Sequence, residues 1–356
     1  EFSATDLDNP PLLTINAPIG LGFRDNPADI TVRGDGNGVR TGESEVIDTQ
    51  EALRVGSEAT IGIVGGNLIF EDATIKTAGG RIEIGRVAEG EVDLVEVANG
   101  FTFDYSGVET FRDISLSGRS IVDASGLGSG DIQVAGKNIS INGVSGFISH
   151  TLGSNLGGDI NILAAESLEL SAVENEFNFV SGIANQVFPN GTADAGDINI
   201  ETGSLRLGDR ALINTSVLGQ GEAGNITINA SDSISLESQG NTSAIASNIA
   251  TAAIGNGGDI TIITPSLTIN DGAFLNANSS GEGNAGNINI SGNSLTLNNG
   301  ANLFAINTGL GEAGNVTINA TDDVSFTNGS RIFVAGASGG SINITAKNLS
   351  LISGSV

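Results

Sequence analysis

Apolar residues in this chain come in pairs one residue apart, and the pairs recur. A glycine, a small polar residue and an alternating pair of β-branched residues open each unit, as in Gly130-Asp131-Ile132-Gln133-Val134, Gly158-Asp159-Ile160-Asn161-Ile162 and Gly196-Asp197-Ile198-Asn199-Ile200. The same anchor returns at Gly224, Gly258, Gly286, Gly314 and Gly340, with successive spacings of 28, 38, 28, 34, 28, 28 and 26 residues, so the base period is 28. A second alternating pair follows each anchor: Ile139/Ile141, Leu168/Leu170, Leu205/Leu207, Ile234/Leu236, Leu267/Ile269, Leu295/Leu297, Val324/Phe326 and Leu349/Leu351. A looser third segment carries Phe147, Ile213, Ile245, Leu275, Leu303 or Ile332. Period-two segments separated by Gly, Asn, Ser and Asp predict strands and turns; no segment has helical periodicity.

Each apolar face is two residues wide, too narrow to be buried within one unit. Stacking the units about 4.8 Å apart pairs every strand with its counterpart above and below and merges the Ile and Leu pairs into interior columns. Parallel crossovers are right-handed in about 98% of cases. The expected fold is therefore all-β, a right-handed parallel β-helix with about 28 residues and three short strands per coil. At that period the chain would make roughly 12 to 13 turns, a rod on the order of 60 Å long. A propeller requires about 40 residues per blade, and the calcium-binding roll requires a tandem Gly-Gly-x-Gly-x-Asp that is absent.

Residues 1–100 are less regular, with strands expected at Ile30/Val32, Ile61/Ile63, Leu68/Phe70, Ile82/Ile84 and Val92/Leu94. Gly79-Gly80-Arg81-Ile82-Glu83-Ile84 reads as a degenerate anchor, so this stretch is expected to be the front of the same solenoid. Residues 101–356 carry the regular units, with insertions near 171–195 and 237–255. Insertions in a solenoid emerge on its flank, where recognition is usually placed. Phe177, Phe179 and Phe188 in the first insertion, with Tyr105, are the candidate stacking surfaces for a glycan or another cell-surface ligand.

Composition narrows the function. The formal net charge of −27, from 41 acidic against 14 basic residues, argues against binding nucleic acid or anionic lipid. With no cysteine there is neither a disulfide framework nor a thiolate metal site, which suits a chain exported through a narrow pore before it folds. No apolar run is long enough for a membrane-spanning helix, so membrane insertion is not expected. The start at Glu1-Phe2-Ser3 has no signal segment and the end at Gly354-Ser355-Val356 falls inside a repeat, so both ends are expected to be cut from something longer.

Candidate chemistry is sparse. Asp131, Asp159 and Asp197 follow their anchor glycines and are expected to be turn residues bonding back to their own backbone. Stacked in adjacent coils they would repel by roughly 1 kcal/mol per pair, which bound calcium would relieve; Asn225, Asn287 and Asn315 at the same position favour plain turn residues, and no metal or cofactor is expected. Glu222, Glu282 and Glu312 recur with the repeat, whereas a catalytic site is a departure from one. His150, the only histidine, has no partner for a triad or a metal site. Arg112, Arg119 and Lys137 lie near Asp113, Asp123 and Asp131 without a recognisable spacing, so the competing carbohydrate-active enzyme (a polysaccharide lyase or hydrolase) is set second to a chain without catalysis.

The segment from Phe2-Ser3-Ala4-Thr5-Asp6 to Pro11-Leu12-Leu13-Thr14-Ile15-Asn16-Ala17-Pro18-Ile19-Gly20-Leu21, then Asn26-Pro27, Ile30-Thr31-Val32, Val64-Gly65-Gly66-Asn67-Leu68 and Gly79-Gly80-Arg81-Ile82-Glu83-Ile84-Gly85, resembles the filamentous haemagglutinin-like exoproteins of cyanobacteria. The later Gly-Glu-Ala-Gly-Asn-Ile-Thr-Ile-Asn-Ala units are similar to their repeats, and the resemblance covers essentially the whole chain. It implies two-partner secretion, in which an outer-membrane barrel transporter recognises the amino-terminal secretion domain, and a secreted adhesive or aggregating role at the outer cell surface. The chain departs from the family pattern in lacking the signal peptide and the early Asn-Pro-Asn-Gly motif, so residues 1–100 are expected to include the end of the secretion domain.

Overall fold

The computed structural model describes residues 19–24, 27–38, 51–97, 100–172, 181–238, 240–241 and 243–353. Their strands form two sheets, one of 18 and one of 10 strands, and in both the coil-to-coil pairing is parallel. The anchor isoleucines stack in one column, Ile61, Ile82, Ile132, Ile160, Ile198, Ile226, Ile260, Ile288, Val316 and Ile342. The second pairs stack likewise, Ile30, Leu68, Ile114, Ile139, Leu168, Leu205, Ile234, Leu267, Leu295, Val324 and Leu349. The third column, on the 10-stranded sheet, runs through Ile75, Val122, Phe147, Ile183, Ile213, Ile245, Leu275, Leu303 and Ile332. These columns meet in one continuous core, in which most side chains have no exposed surface. This is a parallel β-helix.

The three short strands per coil are not all separate. In Asp131–Asn142, Ile160–Ser171, Ile198–Leu207 and Ile226–Glu237 the first two run together as one bent strand, and the register shifts where they join, as between Gly136 and Asn138. No turn is needed there, because an irregularity in the ladder bends a strand without ending it. In the coil of Val316–Ala320 and Asp323–Thr327 the two strands are distinct.

Backbone contact explains the anchor glycines. A Cβ on Gly196, Gly224, Gly258 or Gly286 would lie 1.9–2.1 Å from the carbonyl oxygen of the anchor glycine one coil earlier. Only hydrogen fits where the turns stack so closely.

The front differs in one decisive way. Arg81–Val97 begins as a coil strand, with Ile82 between Ile61 and Ile132, and then leaves the coil. Its second half pairs antiparallel with Gly20–Phe23 on one side and with Gly100–Asp104 and Val108–Phe111 on the other. Val92 and Leu94, expected as a coil strand, therefore belong to this antiparallel apron, which is inserted between the first and second strands of its coil and returns at Ile114–Ser117. The insertion lengthens this one coil, so the anchors at Ile82 and Ile132 are 50 residues apart yet adjacent in space.

Candidate functional site

The apron is folded back over the outer face of the coil. Phe103 and Tyr105 are almost fully buried, with ring centroids 6.4 Å apart, and Phe111 lies 6.3 Å from Tyr105. They pack with Val87, Val92 and Ala135 into a second, smaller core. Two strand glycines make the close approach possible: a Cβ on Gly62 would lie 2.5 Å from Phe103 Cζ, and one on Gly85 would lie 2.4 Å from the Tyr105 hydroxyl. Tyr105, a candidate stacking surface on sequence, is thus an interior residue.

Beneath the rings lies Glu83, with no exposed surface. Its register partners, Gly62 on one side and Gln133 on the other, start an outward column that continues through Asn161, Asn199, Thr227, Thr261, Asn289, Thr317 and Asn343. Glu83 is the charged member of a column of neutral polar residues, and that departure from the repeat is the signal by which sequence could have found it. Arg81 Nη1 lies 3.3 Å from Glu83 Oε1, and Arg81 Nη2 pairs with Asp131 Oδ2. Glu83 Oε2 and the Tyr105 hydroxyl have no hydrogen-bond partner. Burial pushes the Glu83 carboxyl up to about 7 against the opposing pull of Arg81, and burial also raises the Tyr105 hydroxyl. Gln133 fastens the apron, donating from Nε2 to the Phe103 carbonyl at 2.8 Å and accepting from Thr102 Oγ1 at 3.2 Å. At the edge of the apron opens a groove of about 430 Å³, lined by Phe103, Tyr105, Gln133, Leu163, Asn199 and Glu201 among others.

The aspartates after the anchors do not bond back to their own turns. Asp131 Oδ1 accepts the Asp159 N–H at 2.9 Å, Asp159 Oδ1 accepts that of Asp197 at 2.8 Å, and the relay continues through Asn225, Asp259, Asn287 and Asn315. Each carboxylate therefore meets a backbone donor of the next coil, and Asp131 pairs with Arg81 as well. Burial and the flanking aspartates hold the Asp159 carboxyl above its usual value, partly offset by the Asp197 N–H. A parallel relay runs through Asp194, Glu222, Asn256, Asn284 and Glu312. Glu282 is not in it; it bridges to Ile254 and Leu310 instead. Among the described residues no group of three or more His, Cys, Asp or Glu is placed to hold a metal ion.

Of the sequence candidates for recognition, Phe177 and Phe179 lie outside the described residues. Phe188 is half-buried, its ring centroid 4.7 Å from that of His150. It sits not in the insertion itself but in a turn shared by successive coils, where the Phe188 N–H donates to Thr151 O as the Leu218 N–H does to Val187 O one coil on. His150 is buried, and its Nδ1 accepts the Gln186 N–H at 3.2 Å. The charges near Asp113, Asp123 and Asp131 are dispersed: Asp123 pairs with Lys76 at 3.4 Å, Lys137 with Glu166 at 3.1 Å, and Asp113 accepts from Asn138 at 2.8 Å.

Parallel coils around a continuous interior, with an antiparallel apron at one end, define the class: a β-helix built for length, with a specialised front. Residues 1–134 match the family model of the TPS secretion domain, and this stretch includes the apron, Glu83 and Arg81. The match supports a two-partner-secretion exoprotein, a secreted protein whose export partner is an outer-membrane transporter. No curated protein and no solved structure matches the chain in the comparisons.

Proposed function

We propose that this chain is a non-catalytic structural and adhesive segment of a large surface exoprotein, of the filamentous haemagglutinin-like kind found in cyanobacteria. Residues 1–100 act as the irregular front belonging to secretion, and residues 101–356 form the stalk, with insertions near 171–195 and 237–255 on its flank. The observation that carries the reading is continuity: the stretch matching the secretion domain shares its interior columns with the repeats that follow. A rod whose stability comes from neighbour-to-neighbour stacking holds whatever it presents at a fixed distance from the cell. Contact with a glycan or another cell-surface ligand falls to the flank around Phe177, Phe179 and Phe188.

The test has two arms. Given a signal peptide and expressed in a Gram-negative host, the chain should reach the medium or cell surface only with its cognate two-partner transporter. Purified chain should then bind glycan arrays or intact cells, and binding should fall when Phe177, Phe179 and Phe188 are replaced by alanine. Retention in the periplasm with the transporter present, or reproducible turnover of neutral or uronate polysaccharides, would overturn the reading.

A further inference from the structure

We propose that Glu83 is the catch of a proton-operated latch that holds the antiparallel apron, residues 87–97 and 100–111, down on the outer face of the coil. The geometry is that of a carboxyl closed in by two elements. Its own strand supplies Arg81, 3.3 Å away. The strand of the preceding coil, Thr60–Gly65, presents Gly62 and no charge; the strand of the following coil presents Gln133 and Asp131, and Asp131 takes the other side of the Arg81 guanidinium. Above, Gly100–Asp104 brings Thr102 and the Phe103 ring, and its exposed Asp104 is occupied with the Ser106 N–H at 2.8 Å. Tyr105 follows with a buried hydroxyl that has no partner. Glu58 lines the same hollow as Arg81 and Asp131 on the turn side.

Glu83 therefore has a single cation, which it shares with Asp131. Arg81, Thr102 and the Phe103 backbone favour the carboxylate, but burial outweighs them, so the neutral carboxyl fits this enclosed place better. Lifting the apron returns the group to solvent. The cost of lifting it is the Phe103 and Tyr105 packing and the side-chain hydrogen bonds to Gln133, Arg81 and Glu83, not a sheet ladder.

The sign follows from burial. The closed apron holds the Glu83 proton more tightly than the open one, with the closed value pushed up to about 7 and the open one near the ordinary carboxylate range of about 4.3. The stabilisation of the closed form is thus complete below about pH 4.5, is lost as pH rises towards 7, and changes little above that. Within that window the opening constant rises by at most about tenfold per pH unit.

Tyr105 is the only tyrosine and there is no tryptophan, so intrinsic fluorescence reports on this one place. Acrylamide quenching of the full chain between about pH 5 and pH 8, with far-UV circular dichroism to verify an intact coil, should show Tyr105 becoming on the order of tenfold more accessible by pH 7 and then levelling off. In Glu83→Gln the accessibility should stay low and independent of pH. In Arg81→Gln, which removes the cation, the transition should move to higher pH; this variant decides the matter if Glu83→Gln does not fold. A flat wild-type profile, an unchanged profile in Glu83→Gln, or an unmoved transition in Arg81→Gln each overturns the latch.

Discussion

The front of the molecule and its array share one interior but are held together by different means. From Asp131 onwards, successive coils are joined by the sheet ladders and by relays of Asp and Asn side chains onto the next coil's backbone, and almost every charge remains at the surface. Before Asp131, Lys76, Glu83, Arg86 and Asp123 are all buried, whereas beyond it Arg210 is the buried charge among the described residues. The array repeats one solution and is uniform in consequence. The front interrupts it with an apron and encloses charges whose solvation is costly unless they are paired. Responsiveness is therefore concentrated in the front, and constancy in the array.

The comparison can be broken most severely at the shared interior. Ile228 has no exposed surface and stands in the middle of its column, between Ile200 and Ile262. Ile228→Ala should destabilise the array by about 4 kcal/mol in denaturant titration, and the apron, monitored by Tyr105 emission, should unfold later than the array if the front is held separately. Coincident loss of both signals would mean that the two regions form a single cooperative unit.

A smaller effect is expected where turns stack. Gly286→Ala places a methyl 2.1 Å from the Gly258 carbonyl, which forces the coils apart locally and should cost about 2–3 kcal/mol by the same titration. A loss below about 0.5 kcal/mol would show that the anchor glycines are not required by contact.

The smallest effect separates charge from hydrogen bonding in the relay. Asp259 Oδ1 accepts from both the backbone and the side chain of Asn287, at 2.8 and 2.9 Å. Asp259→Ala should cost about 1 kcal/mol, while Asp259→Asn, which keeps the acceptor, should be neutral within about 0.5 kcal/mol. Equal losses from the two would mean that the carboxylate charge itself matters in the array, as it does in the front.

Much of the array was legible because a repeat states its own register. The recurrence of Gly, Asp or Asn and Ile-x-Ile places Ile160 over Ile132 and Leu205 over Leu168, since the pairing that buries one such face buries all of them. The side-chain relays were not legible, because an aspartate after a glycine is equally suited to bond its own turn, and only the stacked backbone offers it the next coil's N–H. Phe188 was placed in a flank insertion by numbering alone, whereas packing sets it on His150 in a turn that every neighbouring coil repeats.

What the amino-acid order determined by itself was the coil: period, strand positions and the identity of the interior columns, all consequences of alternation repeated at a fixed distance. What tertiary structure alone decided was where the chain leaves the coil. Val92 and Leu94 alternate like any coil strand, yet they pair antiparallel with Gly20–Phe23 and Gly100–Asp104. Alternation specifies a face to bury, not the direction of the neighbour that buries it. Glu83 is the sharpest instance, since its place in an outward column promised solvent and the returning apron removed it.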